Sequence, residues 1–239
     1  MRKLKLFCIP QAGGTAAAYL KWKPYLHPSI ELVGVELAGK GRRFSQPLYE
    51  SVDEAVYDIL SSIRKEISDC RYAIFGHSMG ALLAFELLHV LKTVGLDLPV
   101  CTFFSGKNPP HQAPYKYRHL LNDEEFWCEI REIGGTPEEI FVNSELKKMF
   151  SPILRRDFKL VETYKSSPER GTLDCPFVVM HGSGDNLTST KKQGEWAQYS
   201  KCKTTIHCFN GGHFFIFDSA EDVVNLVNKY LLKYVSPIV

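Results

Sequence analysis

Three short stretches of the chain carry side chains suited to nucleophilic chemistry. They are Gly76-His77-Ser78-Met79-Gly80, Gly182-Ser183-Gly184-Asp185 and Gly211-Gly212-His213-Phe214-Phe215. A serine hydroxyl attacks poorly near neutral pH unless a base takes its proton and a third group fixes the tautomer of that base. Ser78, His213 and Asp185 would supply the nucleophile, the base and the orienting acid. Competing histidines fail on placement. His77 adjoins the serine but should point away from it, and His181 precedes the acid loop, where it would tether that loop. His27, His89, His111, His119 and His207 have no glycine-framed strand end.

Each of the three needs an element to position it. Tyr72 to Phe75 are aromatic or apolar, as in a strand buried on both faces. Ser78 then falls on a sharp strand-to-helix turn, with Gly76 and Gly80 small enough for strand and helix to approach. The helix should run from Met79 to about Thr93, and the Met79 N–H faces the space beside Ser78 as an oxyanion donor. Leu4 to Ile9 reads as a first strand running into Pro10-Gln11-Ala12-Gly13-Gly14-Thr15, a loop placed to give the second donor from Ala12, with Gln11 the close alternative. Strands at Phe177 to His181 and Thr204 to Phe209 precede Asp185 and His213. All three side chains would meet at the C-terminal edge of one mostly parallel sheet flanked by helices. Serine, acid, histidine is the chain order of the α/β-hydrolase fold.

The remaining elements follow from periodicity and turn signals. A helix is expected over Ala16 to Tyr25 and a strand over Ile30 to Leu37. The loop Ala38-Gly39-Lys40-Gly41-Arg42-Arg43 would either contact a substrate phosphate or, the favoured reading, be solvated. Val52, Ala55, Val56, Ile59, Leu60, Ile63 and Ile67 form the stripe of an amphipathic helix. Pro99 to Phe104 is the next strand and Ala220 to Tyr230 the last helix. Between them, about 107–164 carries no convincing strand. Helices open at Asn122, Gly134, Ser144 and Ser151-Pro152, giving a helical insertion that is either a substrate-choosing lid or a plain helical layer.

Composition bounds the rest. With 239 residues and a net charge of +2, a single domain over 1–239 is the simplest reading, and neither nucleic acid nor an anionic membrane is an expected partner. The N-terminal apolar run is too short for a signal peptide and ends in Pro10, which predicts a cytoplasmic protein. Seven scattered cysteines without a C-x-x-C pair predict free thiols, and Cys202, His207, Cys208 and His213 match no zinc spacing, so no metal is expected. No phosphate-binding or dinucleotide-binding glycine motif is present. A monomer is the default expectation.

Along nearly its whole length the chain resembles the type II thioesterases, stand-alone editing enzymes that accompany nonribosomal peptide synthetases and polyketide synthases. The resemblance is carried by Phe7-Cys8-Ile9-Pro10-Gln11-Ala12-Gly13-Gly14, the three stretches above, and Pro152-Ile153-Leu154-Arg155-Arg156-Asp157-Phe158-Lys159-Leu160-Val161-Glu162-Thr163-Tyr164. That last segment separates this family from other hydrolases. Ala38 stands where the family commonly has proline, and the extra N-terminal strand of many relatives is not expected. The resemblance implies hydrolysis of acyl groups from the phosphopantetheine thiol of an acyl or peptidyl carrier domain, with the pantetheine arriving on the substrate and no cofactor held by the enzyme. Basic residues of the insertion, Lys116, Arg118, Lys147, Lys148, Arg155 and Arg156, would meet an acidic carrier domain, although Glu124, Glu125, Glu138 and Glu139 oppose this. Rival readings are a fatty acid synthase thioesterase, a general carboxylesterase, and a carrier-binding scaffold with a vestigial site.

Overall fold

The computed structural model describes residues 3–167 and 170–235. Six strands form one sheet: β1 (Leu4–Ile9), β2 (Ile30–Gly34), β3 (Tyr72–His77), β4 (Thr102–Ser105), β5 (Phe177–Gly182) and β6 (Thr204–Phe209). Their order is β2-β1-β3-β4-β5-β6, and every pair is parallel. Parallel strands need crossovers on both faces, which explains why β3, β4 and β5 are buried at every position. The chain winds outward from β1 to β2, then returns to β3 on the other side. That reversal opens a crevice at the carboxyl ends of β1 and β3, where open α/β sheets bind ligands.

Among the described residues seven α-helices cover the sheet and its carboxyl edge: α1 (Val52–Ile67), α2 (Met79–Thr93), α3 (Asp123–Ile133), α4 (Glu138–Val142), α5 (Ser144–Thr163), α6 (Phe215–Asp218) and α7 (Ala220–Leu231). On one face, Ile59 and Ile63 of α1 and Leu83, Leu87 and Leu91 of α2 pack with Phe104 and Trp196. The Phe104 and Trp196 rings stack with centroids 4.3 Å apart. On the other face, Tyr19 and Trp22 pack with Val223, Val224 and Val227 of α7. Residues 107–164 build a third, separate cluster from Phe126, Trp127, Ile130, Ile140, Phe141 and Leu154.

Several elements differ from expectation for local reasons. Ala16–Trp22 is a 3₁₀ helix, because Tyr19 and Trp22 are both fully buried and a three-residue turn puts them on one side. β2 stops at Gly34, where a Cβ would lie 2.9 Å from the Ala16 carbonyl oxygen of the crossing chain. β4 starts at Thr102, although Val100 N–H already donates to the Tyr72 carbonyl of β3 at 2.9 Å. Ser144 and Ser151-Pro152 do not open two helices. One helix, α5, runs through Pro152, and the carbonyl of the exposed Lys148 that its ring deprives of a donor lies on the solvent side.

The tightest crossing is between β1, β3 and α2. A Cβ on Gly76 would lie 2.2 Å from the Gly80 carbonyl oxygen, and one on Gly80 would lie 2.1 Å from that of Ile9. Gly80→Ala is expected to destabilise the protein by about 1–3 kcal/mol or more. Gly171→Ala, whose Cβ would meet only Lys92 Nζ at 3.9 Å, should be nearly neutral. Urea denaturation of the two variants checks this.

Candidate active site

β3 ends in a turn that places Ser78 at φ 53° and ψ −113°. Among the described residues it is the one non-glycine with positive φ. The turn is fixed from both sides. The Ser78 N–H donates to the Ser105 carbonyl at 2.8 Å, and the Ser78 carbonyl accepts from Ala81 N–H at 3.0 Å. α2 begins at the next residue, so the Met79 N–H is a first-turn donor with no intrahelical acceptor. β1 lies beside β3 in register, Ile9 opposite Gly76, which brings the loop after β1 against this turn.

In that loop Gly14 N–H closes a turn onto the Gln11 carbonyl at 2.9 Å. Gly13, at φ +68°, donates its N–H to Asp157 Oδ2 of α5 at 2.7 Å. Asp157 Oδ1 accepts from Lys40 Nζ at 2.9 Å, and the two side chains are 1% and 2% exposed. Burial pushes the Asp157 carboxyl above its ordinary range, and Lys40 and the Gly13 N–H oppose that shift. Lys40 is therefore neither solvated nor free for a phosphate, which corrects the sequence readings at that residue, while Gly41 and Arg42 of the same loop are exposed as the favoured reading expects. Its charge answers a carboxylate that holds the β1 loop from behind. Ala12 and Gln11 both line the cavity in front of Ser78, and among the described residues neither N–H has a backbone acceptor.

Asp185 follows β5 and His213 follows β6. His213 Nδ1 is 2.9 Å from Asp185 Oδ2, and both residues are buried. Asp185 Oδ1 also accepts from the Leu187 N–H at 2.8 Å. Burial alone would raise the Asp185 carboxyl. The hydrogen bond and charge of His213, with the Leu187 N–H, outweigh it and hold the group below the usual carboxylate range. A carboxylate on Nδ1 favours the tautomer protonated there and leaves Nε2 as the basic nitrogen.

His77 does point away from the serine: Nδ1 sits 3.0 Å from Ser105 Oγ. Its ring lies 4.9 Å from that of His213, a neighbour that strand alternation alone does not reveal. Burial first, and then the adjacent His213, keep it neutral. Among the described residues the one hydrogen-bond partner of His181 is the adjacent Gly182 carbonyl, at 3.4 Å, so no long-range bond from it ties down the acid loop.

A cavity of 410 Å³ brings Ser78, His213, Gln11 and Ala12 together under an apolar wall that includes Ile130, Ile140, Phe150, Leu154 and Phe158. The basic residues expected to greet an acidic partner are mostly spent within the chain. Arg118 is buried against Glu129 and Glu162, Lys116 pairs with Glu129, Lys148 with Glu145, Arg155 with Asp123 and Arg156 with Glu50. Lys147 lies over the Trp127 ring. Cys202, His207 and His213 face Asp174, Tyr230 and Asp185 respectively and form no cluster.

The doubly covered parallel sheet, the serine turn and the histidine–aspartate pair at its carboxyl edge define an α/β-hydrolase. The chain belongs to the thioesterase domain family, whose pattern it matches over residues 4–231. It is 32% identical to thioesterase PikA5 of Streptomyces venezuelae over 96% of this chain and 81% of that protein. The crystal structure of ClbQ from the colibactin NRPS/PKS pathway superposes with a TM-score of 0.91 at 39% identity, covering 97% of this chain and 98% of that one. The type II thioesterase BorB from the borrelidin biosynthetic cluster gives 0.85 at 30% identity, over 96% and 93%.

Two expectations follow. Ser78→Gly removes a Cβ held at positive φ, worth about 1–3 kcal/mol, against about 0.5–1 kcal/mol of added chain entropy. It should therefore be more stable to denaturant than Ser78→Ala while both lack the hydroxyl. Asp157→Ala leaves Lys40 buried and unpaired, at a cost of about 3–5 kcal/mol. The double variant Lys40→Met with Asp157→Leu should recover stability yet leave Gly13 unanchored, lowering kcat for thioesters about 10- to 100-fold with little change in KM. Recovery of kcat together with stability would show that the pair serves stability alone.

Proposed function

We propose that the protein hydrolyses acyl groups from the phosphopantetheine thiol of carrier domains, clearing misprimed or stalled nonribosomal peptide and polyketide synthases. The observation that carries this reading is the shared cavity: Ser78 and His213 stand at one end of an apolar chamber walled by the helical segment. Ser78 Oγ attacks the thioester carbonyl as His213 Nε2 takes its proton, and Asp185 stabilises the imidazolium. The N–H groups of Met79 and Ala12 hold the oxyanion of the tetrahedral intermediate. Its collapse breaks the C–S bond, and His213 returns the proton to the leaving thiolate. Water, with His213 again as base, then cleaves the acyl-Ser78 ester, releases the carboxylic acid and restores the serine hydroxyl.

In this reading α3, α4 and α5 form a lid on a single hydrolase domain, choosing the acyl group and excluding water. The enzyme holds no cofactor, since the pantetheine arm is part of the substrate. Among the described residues no helix is long and apolar enough to cross a membrane.

The test compares acetyl and longer acyl groups presented on a phosphopantetheinylated carrier domain, on free pantetheine and as simple oxygen esters. Faster release from the carrier is expected, and Ser78→Ala should lower turnover at least about 10³-fold while keeping the fold. Preference for oxygen esters would make the protein a general esterase. A strong preference for medium-length fatty acyl chains would favour a fatty acid synthase thioesterase.

A further inference from the structure

We propose that Lys107 is the recognition residue of the acyl chamber and selects acyl groups that end in a carboxylate, the half-thioesters of dicarboxylic acids. This rests on thioester hydrolysis at Ser78. Lys107 follows Gly106 at the carboxyl end of β4, where a Cβ on Gly106 would lie 3.2 Å from His213 Cε1. The Lys107 carbonyl accepts from Trp196 Nε1 at 3.1 Å, which pins the backbone, and the residue lines the same cavity as Ser78 and His213.

The wall around Lys107 is already balanced without it. Glu162 accepts from the backbone N–H groups of Arg118 at 2.9 Å and His119 at 3.0 Å, and lies 2.6 Å from His119 Nδ1. Arg118 pairs with Glu129 at 3.0 Å and reaches Glu162 at 3.8 Å, and Lys116 also pairs with Glu129. No carboxylate among the described residues forms an ion pair with Lys107, and Glu162 acts on it only as a more distant charge. Burial lowers the Lys107 pKa to about 8, with Glu162 opposing, so the amine is still mainly an ammonium at neutral pH.

An unanswered cation in an apolar chamber discriminates between guests. A hydrocarbon chain filling the cavity strips water from the ammonium and gives nothing back. A terminal carboxylate forms a charge-assisted hydrogen bond in a low-dielectric setting, where such a bond is strongest. Arg118, which also lines the cavity, does not compete for that carboxylate, because it is held by Glu129 and Glu162.

The experiment compares kcat/KM for glutaryl and hexanoyl pantetheine thioesters in the wild type and in Lys107→Met, which keeps side-chain length and removes the charge. The wild type should favour glutaryl, and the substitution should lower the glutaryl-to-hexanoyl ratio roughly 10- to 100-fold. A ratio that Lys107→Met leaves unchanged, or a wild-type preference for hexanoyl, overturns the proposal while leaving thioester hydrolysis standing. Hydrolysis of neither thioester would instead strike the proposed function. Calorimetric titration of free glutarate into Ser78→Ala, with and without Lys107→Met, reads the chamber without turnover. Binding that weakens by a similar factor supports the assignment, and equal or absent binding in the two overturns it.

Discussion

The site depends on how closely backbone can approach backbone where β3 turns into α2. The carbonyls of Ile9 and Gly80 occupy space that any Cβ at Gly80 or Gly76 would need. With helix and strand pressed together there, the connecting residue is forced into the positive-φ conformation that Ser78 adopts. The strain is held by bonds on either side: Ser105 accepts the Ser78 N–H, and Ala81 donates to the Ser78 carbonyl. The geometry that exposes the hydroxyl thus comes from main-chain packing, with the serine side chain contributing none of it. The same packing lays the β1 loop against the turn.

Much of this could be read from the chain because the relevant signals are local. β1 and β6 match the expected spans residue for residue, and α2 starts and stops where the glycine turn and the apolar run indicate. Ser78, Asp185 and His213 each follow a strand and a small-residue turn, so topology alone gathers them at one edge. The structure places Asp185 and His213 in contact, and His213 and Ser78 both line one cavity. The proline inside α5 misled, since a helix-breaking residue is tolerated where the freed carbonyl faces water.

What could not be read depends on long-range pairing. Lys40 and Asp157 are separated by 117 positions, and nothing near either residue in the sequence signals that each neutralises the other in the interior. Lys40 sits in a Gly-Lys-Gly-Arg-Arg run with the composition of a solvated loop, and its burial is decided by a carboxylate from a distant helix. The ion pairs of Arg118, Arg155 and Arg156 are equally illegible in the sequence, because their acidic partners come from other elements. Lys107 drew no attention in the sequence because one lysine after a strand is unremarkable. Only the cavity and the occupied carboxylates around it set that residue apart.

α5 is a rod of 20 residues that does two jobs along its length. Phe150, Leu154 and Phe158 contribute to the chamber wall, and Asp157, among them in the sequence, carries the carboxylate that grips the β1 loop through Gly13. Leu154 also lies directly over Gly13, where a Cβ would come within 2.5 Å of its side chain. Such a rod cannot swing aside as a unit without unseating the loop and exposing a buried ion pair. α3 and α4, joined through Gly134 and Gly135 at positive φ, pack onto this same rod, with Phe126, Trp127, Ile130, Ile140 and Phe141 in one apolar cluster with Leu154. The chamber wall and the loop beside Ser78 thus share a single support.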